Sequence, residues 1–380
     1  MKRYFAIIFA VALLLSGCAV SSGTTGMQLA TWPTVEDIFT LPTTTAPVTP
    51  TAPTVPGGTQ ATEPTKPAQS IEPGGLGFGP DGENWEKDEM GRIYRYEGGQ
   101  MCLPFMLQAS GQALIDCVEK GIGILLFLDG QPQPYRIEEN GELAYFHVLH
   151  PDYNTQKPIT QEVHFDIYFT PVTGQEGDVL ELWSTTIQCP NWQTSDPQTA
   201  WKYTFGGIQA GTRVKLYAKP EEEMLKIMER VSCVDISYVD TTSKEVGGWS
   251  DQELTRRYDY TWFVDGRRPK LGDGYIYDFQ ASDSVELRFE IWGTPYVRYG
   301  LMFYIDNQPI SSRHEILFDM QSGKKTIVTV TLDLSDFDGE CVVYAALIPR
   351  NAKTPENFNT IAFLNMSKTF FLLDDQEPEK

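Results

Sequence analysis

Gly123–Pro132 reads GILLFLDGQP, and Gly300–Pro309 reads GLMFYIDNQP. Four of the ten positions are identical, five exchange one apolar residue for another, and the eighth exchanges Gly for Asn. A short apolar run that ends in Asp-Gly or Asp-Asn has the pattern of a buried strand closed by a tight turn. Both dipeptides tolerate positive φ. Gln before Pro is then pushed to extended geometry, and the Pro has no N–H to donate, so the next segment starts at a sheet edge or bulge.

The match extends in both directions. Leu107-Gln108-Ala109-Ser110 pairs with Phe279-Gln280-Ala281-Ser282. Phe165 to Trp183, with Gly177, matches the pattern of Val330 to Tyr344, with Gly339, and Val214–Ala218 matches Phe370–Asp374. The offset between partners drifts, as insertions between strands of an internal repeat produce. Other segments also read as strands: in 162–169, Val163, Phe165, Ile167 and Phe169 alternate with His164, Asp166 and Tyr168, the two-residue period of a half-buried strand. The expected fold is all-β, with two tandem immunoglobulin-like β-sandwich domains at 81–218 and 233–374. A helix is expected between them at 219–232. Pro220 opens it, Glu221 to Glu223 fill its first turn, Lys226 and Arg230 come later, and Met224, Leu225, Met228 and Val231 form its apolar face. Residues 375–380 are left as an acidic tail.

The N-terminus supplies the cell address. Lys2 and Arg3 precede an apolar run from Tyr4 to Leu15, too short to span a bilayer, which takes about 20 residues, but suited to a secretory signal. The following Leu15-Ser16-Gly17-Cys18 resembles the lipobox of bacterial lipoproteins. That resemblance implies cleavage after residue 17, with Cys18 as the mature N-terminus carrying a diacylglyceryl group. Two acyl chains anchor stably where one does so only marginally. The implied location is the extracellular face of a bacterial membrane, with a Gram-positive wall as the natural setting. Residues 19–80 hold 14 Thr, 10 Pro and 8 Gly. Such a composition cannot bury enough apolar surface to fold, so 18–80 is expected as a tether. Its last 42 residues would reach roughly 40 to 130 Å, depending on stiffness.

With 51 acidic and 30 basic residues the chain carries −21, and it loses two positive charges with the signal. No basic stripe interrupts the acidity, which argues against nucleic acid and against docking on anionic lipid headgroups. Beyond Cys18 there are five cysteines, Cys102, Cys117, Cys189, Cys233 and Cys341. None has zinc-ligand spacing, and most are expected as buried thiols packing like small apolar residues.

Candidate chemistry is sparse. No G-x-S-x-G or H-E-x-x-H motif occurs, nor an S-x-x-K with its partner motifs, and no carboxylate pair stands out for glycoside hydrolysis. His147 and His164 would be cross-strand neighbours if their segments form a hairpin, and with Asp166 they make a candidate Zn²⁺ site. That set would support a metal-dependent enzyme, the least favoured alternative. Asp333, Asp336, Asp338 and Glu340 crowd one turn as a candidate Ca²⁺ site. An EF-hand register with Gly339 as its glycine would put Leu334 where a carboxylate belongs. The aromatics are the better lead. Trp183, Trp192, Trp201, Trp249, Trp262 and Trp292 fall close together, and Trp192 and Trp201 flank a polar, Pro-containing loop followed by Tyr203. A loop indole can stack on a sugar ring or anchor a protein partner. The sequence therefore predicts a lipid-anchored, non-enzymatic surface binding module, with glycan or another surface protein as partner. The alternative is a structural subunit that binds another surface protein.

Overall fold

The computed structural model describes residues 76–81, 85–150, 161–188, 190, 206–221, 225–242, 245, 254, 258–266, 276–280, 284–337, 341–350, 365–366 and 370–373. These form a nearly all-β structure of several sheets. Its first half contains β1 (Leu76–Pro80), β2 (Trp85–Asp88), β3 (Gly91–Tyr96), β4 (Met101–Ala109), α1 (Gly111–Lys120), β5 (Ile122–Leu128), β6 (Gln131–Pro132), β7 (Phe146–Leu149), β8 (Gln161–Phe169), β9 (Val179–Gln188) and β10 (Gly206–Leu216). The second half contains β11 (Met228–Asp240), β12 (Tyr258–Val264), β13 (Ile276–Gln280), β14 (Ser284–Gly293), β15 (Arg298–Ile305), β16 (Gln308–Ser312), β17 (Ile316–Asp319), β18 (Lys324–Asp333), β19 (Cys341–Pro349), β20 (Asn365–Met366) and β21 (Phe370–Leu373).

Strand pairing follows a similar pattern in the two halves. β5 runs antiparallel to β9 with Phe127 opposite Trp183, and β15 runs antiparallel to β19 with Tyr304 opposite Tyr344. β7 lies on β5 with Val148 opposite Gly123, and β17 lies on β15 with Leu317 opposite Gly300. β3 pairs in parallel with β10, as β13 does with β21. β8 pairs with β4 and β18 with β14, both antiparallel. One sequence match fails: Gln108 lies on β4, an antiparallel partner of β8, whereas Gln280 ends β13, a parallel partner of β21. The short Gln-Ala-Ser identity joins strands that do not correspond.

Both repeat motifs close as two-residue turns. Asp129 and Gly130 have φ of 48° and 77°, and Asp306 and Asn307 have 47° and 65°. Left-handed values at both central residues match the right-handed twist of the flanking strands. β6 and β16 then start at the Gln-Pro pair, on β5 and β15 respectively.

The expected helix at 219–232 is corrected. Residues 225–227 are not helical, and β11 begins at Met228. It pairs in parallel with β16 through Met228 and Ile310, then antiparallel with β18 from Val231 onward. The Val231, Val234, Ile236 and Val239 series favours a pleated, half-buried strand over a helix. Val231 enters the core, while Met228 stays 40 % exposed. Among the described residues a helix, α1, forms instead after Ser110, with no side-chain cap bond and no acidic residue in its first turn to mark it in the sequence. It buries Leu114 and Cys117 in the first-half core. The fold also begins inside the expected tether: β1 pairs with β4, and Phe78 stacks on Phe105 at 5.1 Å.

Two hydrophobic clusters organise the molecule, and β5 belongs to both. Ile122, Ile124, Leu126 and Leu128 pack into the first-half core. Leu125 and Phe127 point the other way and join Trp183 and Ile187 in the cluster built around β14, β15, β18 and β19. Every residue of β5 is buried, so its run is continuously apolar rather than alternating. Phe127 meets Tyr304, its counterpart in the repeat, edge to face with ring centroids 6.3 Å apart, and Tyr304 stacks on Tyr344 at 5.0 Å. The repeat thus packs against itself through equivalent positions. Tyr145 adds a hydrogen bond from its hydroxyl to the Leu225 carbonyl at 2.7 Å.

Candidate functional site

Most residues predicted for function are not gathered into one place. Cys18, Trp192, Trp201 and Tyr203 lie outside the described residues, as do Asp338 and Glu340. His147 and His164 are not hairpin neighbours. β7 carries His147 on β5, opposite Ile124, while β8 carries His164 on β4, opposite Met106, in a different sheet. His147 Nε2 lies 2.9 Å from the Tyr135 carbonyl, and its ring packs edge-on to Tyr135. His164 Nδ1 lies 3.1 Å from Asp81 Oδ2. Asp166 accepts a hydrogen bond from Tyr168 at 3.4 Å. The long segment between β7 and β8 lets each strand choose its own sheet, so the proposed Zn²⁺ set is taken apart. Among the described residues no three His, Cys, Asp or Glu side chains converge as metal ligands. Cys102 lies exposed on β4 and Cys117 is buried on α1.

The acidic turn already holds a cation from the chain itself. Arg230, on the strand that replaced the helix, donates to Asp333 at 3.1 Å and to Asp336, and its guanidinium lies over the Phe337 ring. Asp333 also accepts from the Ser335 hydroxyl and backbone N–H. These Ser335 bonds, with Arg230 beside them, hold the Asp333 pKa below the usual carboxylate value. Ca²⁺ would have to displace Arg230 from two carboxylates.

What the structure does assemble is a shallow cleft at one end of the second half, with a cavity volume of about 10 Å³, room for about one water molecule, lined by Thr241, Leu254, Trp292, Gly293, Pro295, Gln321, Ser322, Gly323 and Lys324. Trp292 and Gly293 are the last residues of β14. On that strand Val285, Leu287, Phe289 and Ile291 are buried, so Trp292 shares the outer face with Glu286, Arg288 and Glu290. The following turn is knitted down by backbone bonds: Thr294 N–H to Leu254 C=O, Tyr296 N–H to Met320 C=O and Met320 N–H to Val297 C=O, each 2.8 Å. Thr241 N–H to Gly323 C=O, at 2.9 Å, fixes the opposite wall. Thr294 and Tyr296 adopt positive φ of 36° and 73°, a costly conformation for a bulky side chain. It leaves Tyr296 77 % exposed beside Pro295.

The charges around this cleft cancel locally. Lys324 pairs with Asp240, and Lys325 reaches Glu245 at 3.0 Å and Glu290 at 2.8 Å. The Thr242 backbone N–H, followed by Lys325 and the Thr242 hydroxyl, brings the Glu245 pKa down to about 2. Burial pulls the Lys325 pKa down, but Glu290 and Glu245 outweigh it and hold the ammonium above its ordinary value. The sequence did carry a signal for this site. In Ser284–Gly293 a Trp stands on the face otherwise given to Glu and Arg, directly before Gly-Thr-Pro-Tyr.

No family model and no curated protein matches the chain. Among solved structures, the fibronectin(III)-like modules of CbhA from Clostridium thermocellum align over 80 % of this chain and 97 % of theirs, at 7 % identity and TM-score 0.18. The tandem Ig repeats of Dlar align over 80 % and 97 %, at 8 % identity and TM-score 0.19. The C-terminal domain of the Streptococcus agalactiae AgI/II polypeptide BspA aligns over 79 % and 100 %, at 8 % identity and TM-score 0.20.

Proposed function

We propose that this chain is a lipid-anchored surface protein that binds rather than catalyses. In this reading Cys18 carries the lipid, 18–80 is the tether apart from the strand that begins at Leu76, and the body is a pair of immunoglobulin-like sandwiches. The body presents recognition surfaces to wall glycan or to another surface molecule, on the extracellular face of a Gram-positive membrane. The observation that carries the reading is the aromatic turn that follows β14. Trp292 stands at the end of that strand, and the strained, solvent-facing Tyr296 follows in a turn that backbone bonds tie to Met320, the preorganised geometry that binding favours. Trp192, Trp201 and Tyr203 are offered as a second contact region of the same module.

Two measurements test it on the full chain. Labelled palmitate is expected to enter the wild type and not Cys18→Ser, which should be released from cells. Detergent-extracted protein is expected to co-sediment with purified cell walls. Release without lipid incorporation in the wild type, or no retention on walls, would overturn the respective half. A protein partner is the second reading. It is favoured by β11, where Met228, Val234, Tyr238 and Val239 are each 37–46 % exposed, and by a run of that strand beyond Val231 with β18 as its only ladder partner among the described residues.

A further inference from the structure

The geometry points to the open edge of β11 as the docking site for an extended, basic segment of a partner protein, which adds to the sheet as a further strand. The proposal deepens the protein-partner reading of this strand by naming how the partner binds and what charge it carries. β11 leaves β16 after Val231 and stays paired with β18 as far as Asp240. Past the irregularity between Ser232 and Asp235, six consecutive residues hold an unbroken register on β18. Alternate residues of such a strand direct N–H and C=O groups away from the one neighbour, a template for another chain.

Sheet edges are commonly blunted by lysine, proline or short length. β11 has neither residue between Met228 and Asp240, whereas β2, at the end of its own sheet, is four residues long and includes Lys87. β8 is a long terminal strand, but the residues it exposes are Glu162, His164 and Asp166. β11 exposes apolar groups instead. Of the eight large hydrophobics exposed among the described residues, Met228, Val234, Tyr238 and Val239 stand on this one strand. Ile236 packs on the core from the same strand and is only partly covered. A strand laid beside β11 covers apolar surface while it satisfies the backbone.

Charge chooses the occupant. β11 carries Glu229, Asp235 and Asp240 against Arg230, and Arg230 is taken up by Asp333 and Asp336. Lys324 answers Asp240, which leaves Glu229 and Asp235 without a cation of their own among the described residues. A basic segment therefore meets complementary charge along the strand, and the net −21 of the chain steers it in. A second copy is disfavoured on the same ground, because it brings the same acids to the edge and its own −21 to the complex.

The test titrates the full chain in detergent into a fluorescein-labelled octapeptide, Thr-Val-Lys-Val-Thr-Val-Lys-Val, and reads its anisotropy. Saturable binding is expected. Replacing the two lysines of the probe by glutamates should weaken it by about tenfold or more, and N-methylation of every backbone nitrogen of the probe should abolish it. Val239→Lys should weaken binding by about tenfold or more, because lysine blunts an edge and repels the probe. Asp235→Asn should weaken it several-fold. Both positions are exposed, so an unchanged urea midpoint guards against a misfolded variant. Val179→Lys adds the same charge at a similarly exposed position on β9 and should leave binding unchanged. Absence of saturable binding, equal binding of the acidic probe, binding that survives N-methylation, or indifference to Val239→Lys would each overturn the proposal. So would a wild-type dimer in sedimentation velocity that Val239→Lys dissolves, since a second copy then fills the edge. If the wild type and Val239→Lys are still cross-linked equally to a neighbouring surface protein on intact cells in those cases, the protein-partner reading stands and its site is elsewhere.

Discussion

The two copies of one ten-residue motif differ most where each meets its surroundings. At the turn, the eighth position is Gly130 in the first copy and Asn307 in the second. A Cβ on Gly130 would sit 1.9 Å from the guanidinium of Arg350, which extends from the end of β19 to pair with Glu315 at 2.9 Å. Asn307 instead turns a side chain inward, where its Oδ1 accepts from the Tyr344 hydroxyl at 3.2 Å. At the first position the contrast is similar. A Cβ on Gly123 would meet the Phe146 ring at 2.1 Å, whereas one on Gly300 finds nothing closer than 3.5 Å. The shared Asp, Gln and Pro build the hairpin, and the contacts around Gly123 and Gly130 show that the first copy's motif is pressed against other parts of the molecule.

That asymmetry is broken most strongly at the self-packing contact. Phe127→Ala removes a fully buried ring from between the two halves, and a loss of about 3–5 kcal/mol is expected. Urea unfolding followed by tryptophan emission measures it. A loss below about 1 kcal/mol would mean that the halves do not depend on this contact. Next comes the glycine pair. Gly123→Ala displaces the tip of the Phe146 ring and should cost about 1–3 kcal/mol. Gly300→Ala makes an ordinary contact and should stay within about 0.5 kcal/mol. Equal effects of the two substitutions would remove the steric distinction.

The turn itself gives a smaller effect. Asn307→Gly leaves the buried Tyr344 hydroxyl without this acceptor, a loss of about 1–3 kcal/mol. Glycine also relieves the positive φ of 65°, so the net change should fall near the lower end of that range. Asn307→Gly combined with Tyr344→Phe should recover most of the loss, because both partners of the bond are then gone. No recovery would place the cost in the turn backbone rather than in the hydrogen bond.

The same residues explain what was legible in the sequence. The hairpin was readable because Asp-Gly and Asp-Asn fix local backbone geometry without help from distant residues, and the alternation in β8 was equally local. The burial of β5 on both faces was written in its unbroken apolar run, but the partner for its second face lies some 170 residues away, in Tyr304 and its neighbours. The helix at 219–232 misled because its caps and charges satisfy a helix locally, while pairing with β16 and β18 decides the outcome non-locally. Trp292 was visible as a Trp, yet nothing near it in sequence announces Thr241 or Gln321, which arrive on other strands and turns. His147 and His164 show the converse. Proximity along the chain suggested a site, and sheet membership dissolved it.

Acid sharpens the comparison by its smallest expected effect, since each half carries a carboxylate whose pKa is depressed. In the first, Arg213, itself only 4 % exposed, forks onto Asp88 with bonds of 2.8 and 2.6 Å and lowers the Asp88 pKa. In the second, Glu245 is held at about 2 by the Thr242 backbone N–H and by Lys325. A carboxyl whose folded pKa lies below its unfolded value binds fewer protons in the folded state. The stability it lends is complete above the ordinary value, 4.5 for Glu245, and drains away as pH falls towards 2. Both groups are well exposed, so solvent screens the benefit and the slopes should be shallow. Glu245→Gln should flatten the fall in stability between pH 4.5 and 2.5, measured by urea midpoints, and change little at pH 7. Asp88→Asn should flatten the acid limb too, but also lower the midpoint at neutral pH, because it strips a bidentate partner from a buried guanidinium. If both variants behaved alike at pH 7, burial of Arg213 would not distinguish the first half from the second.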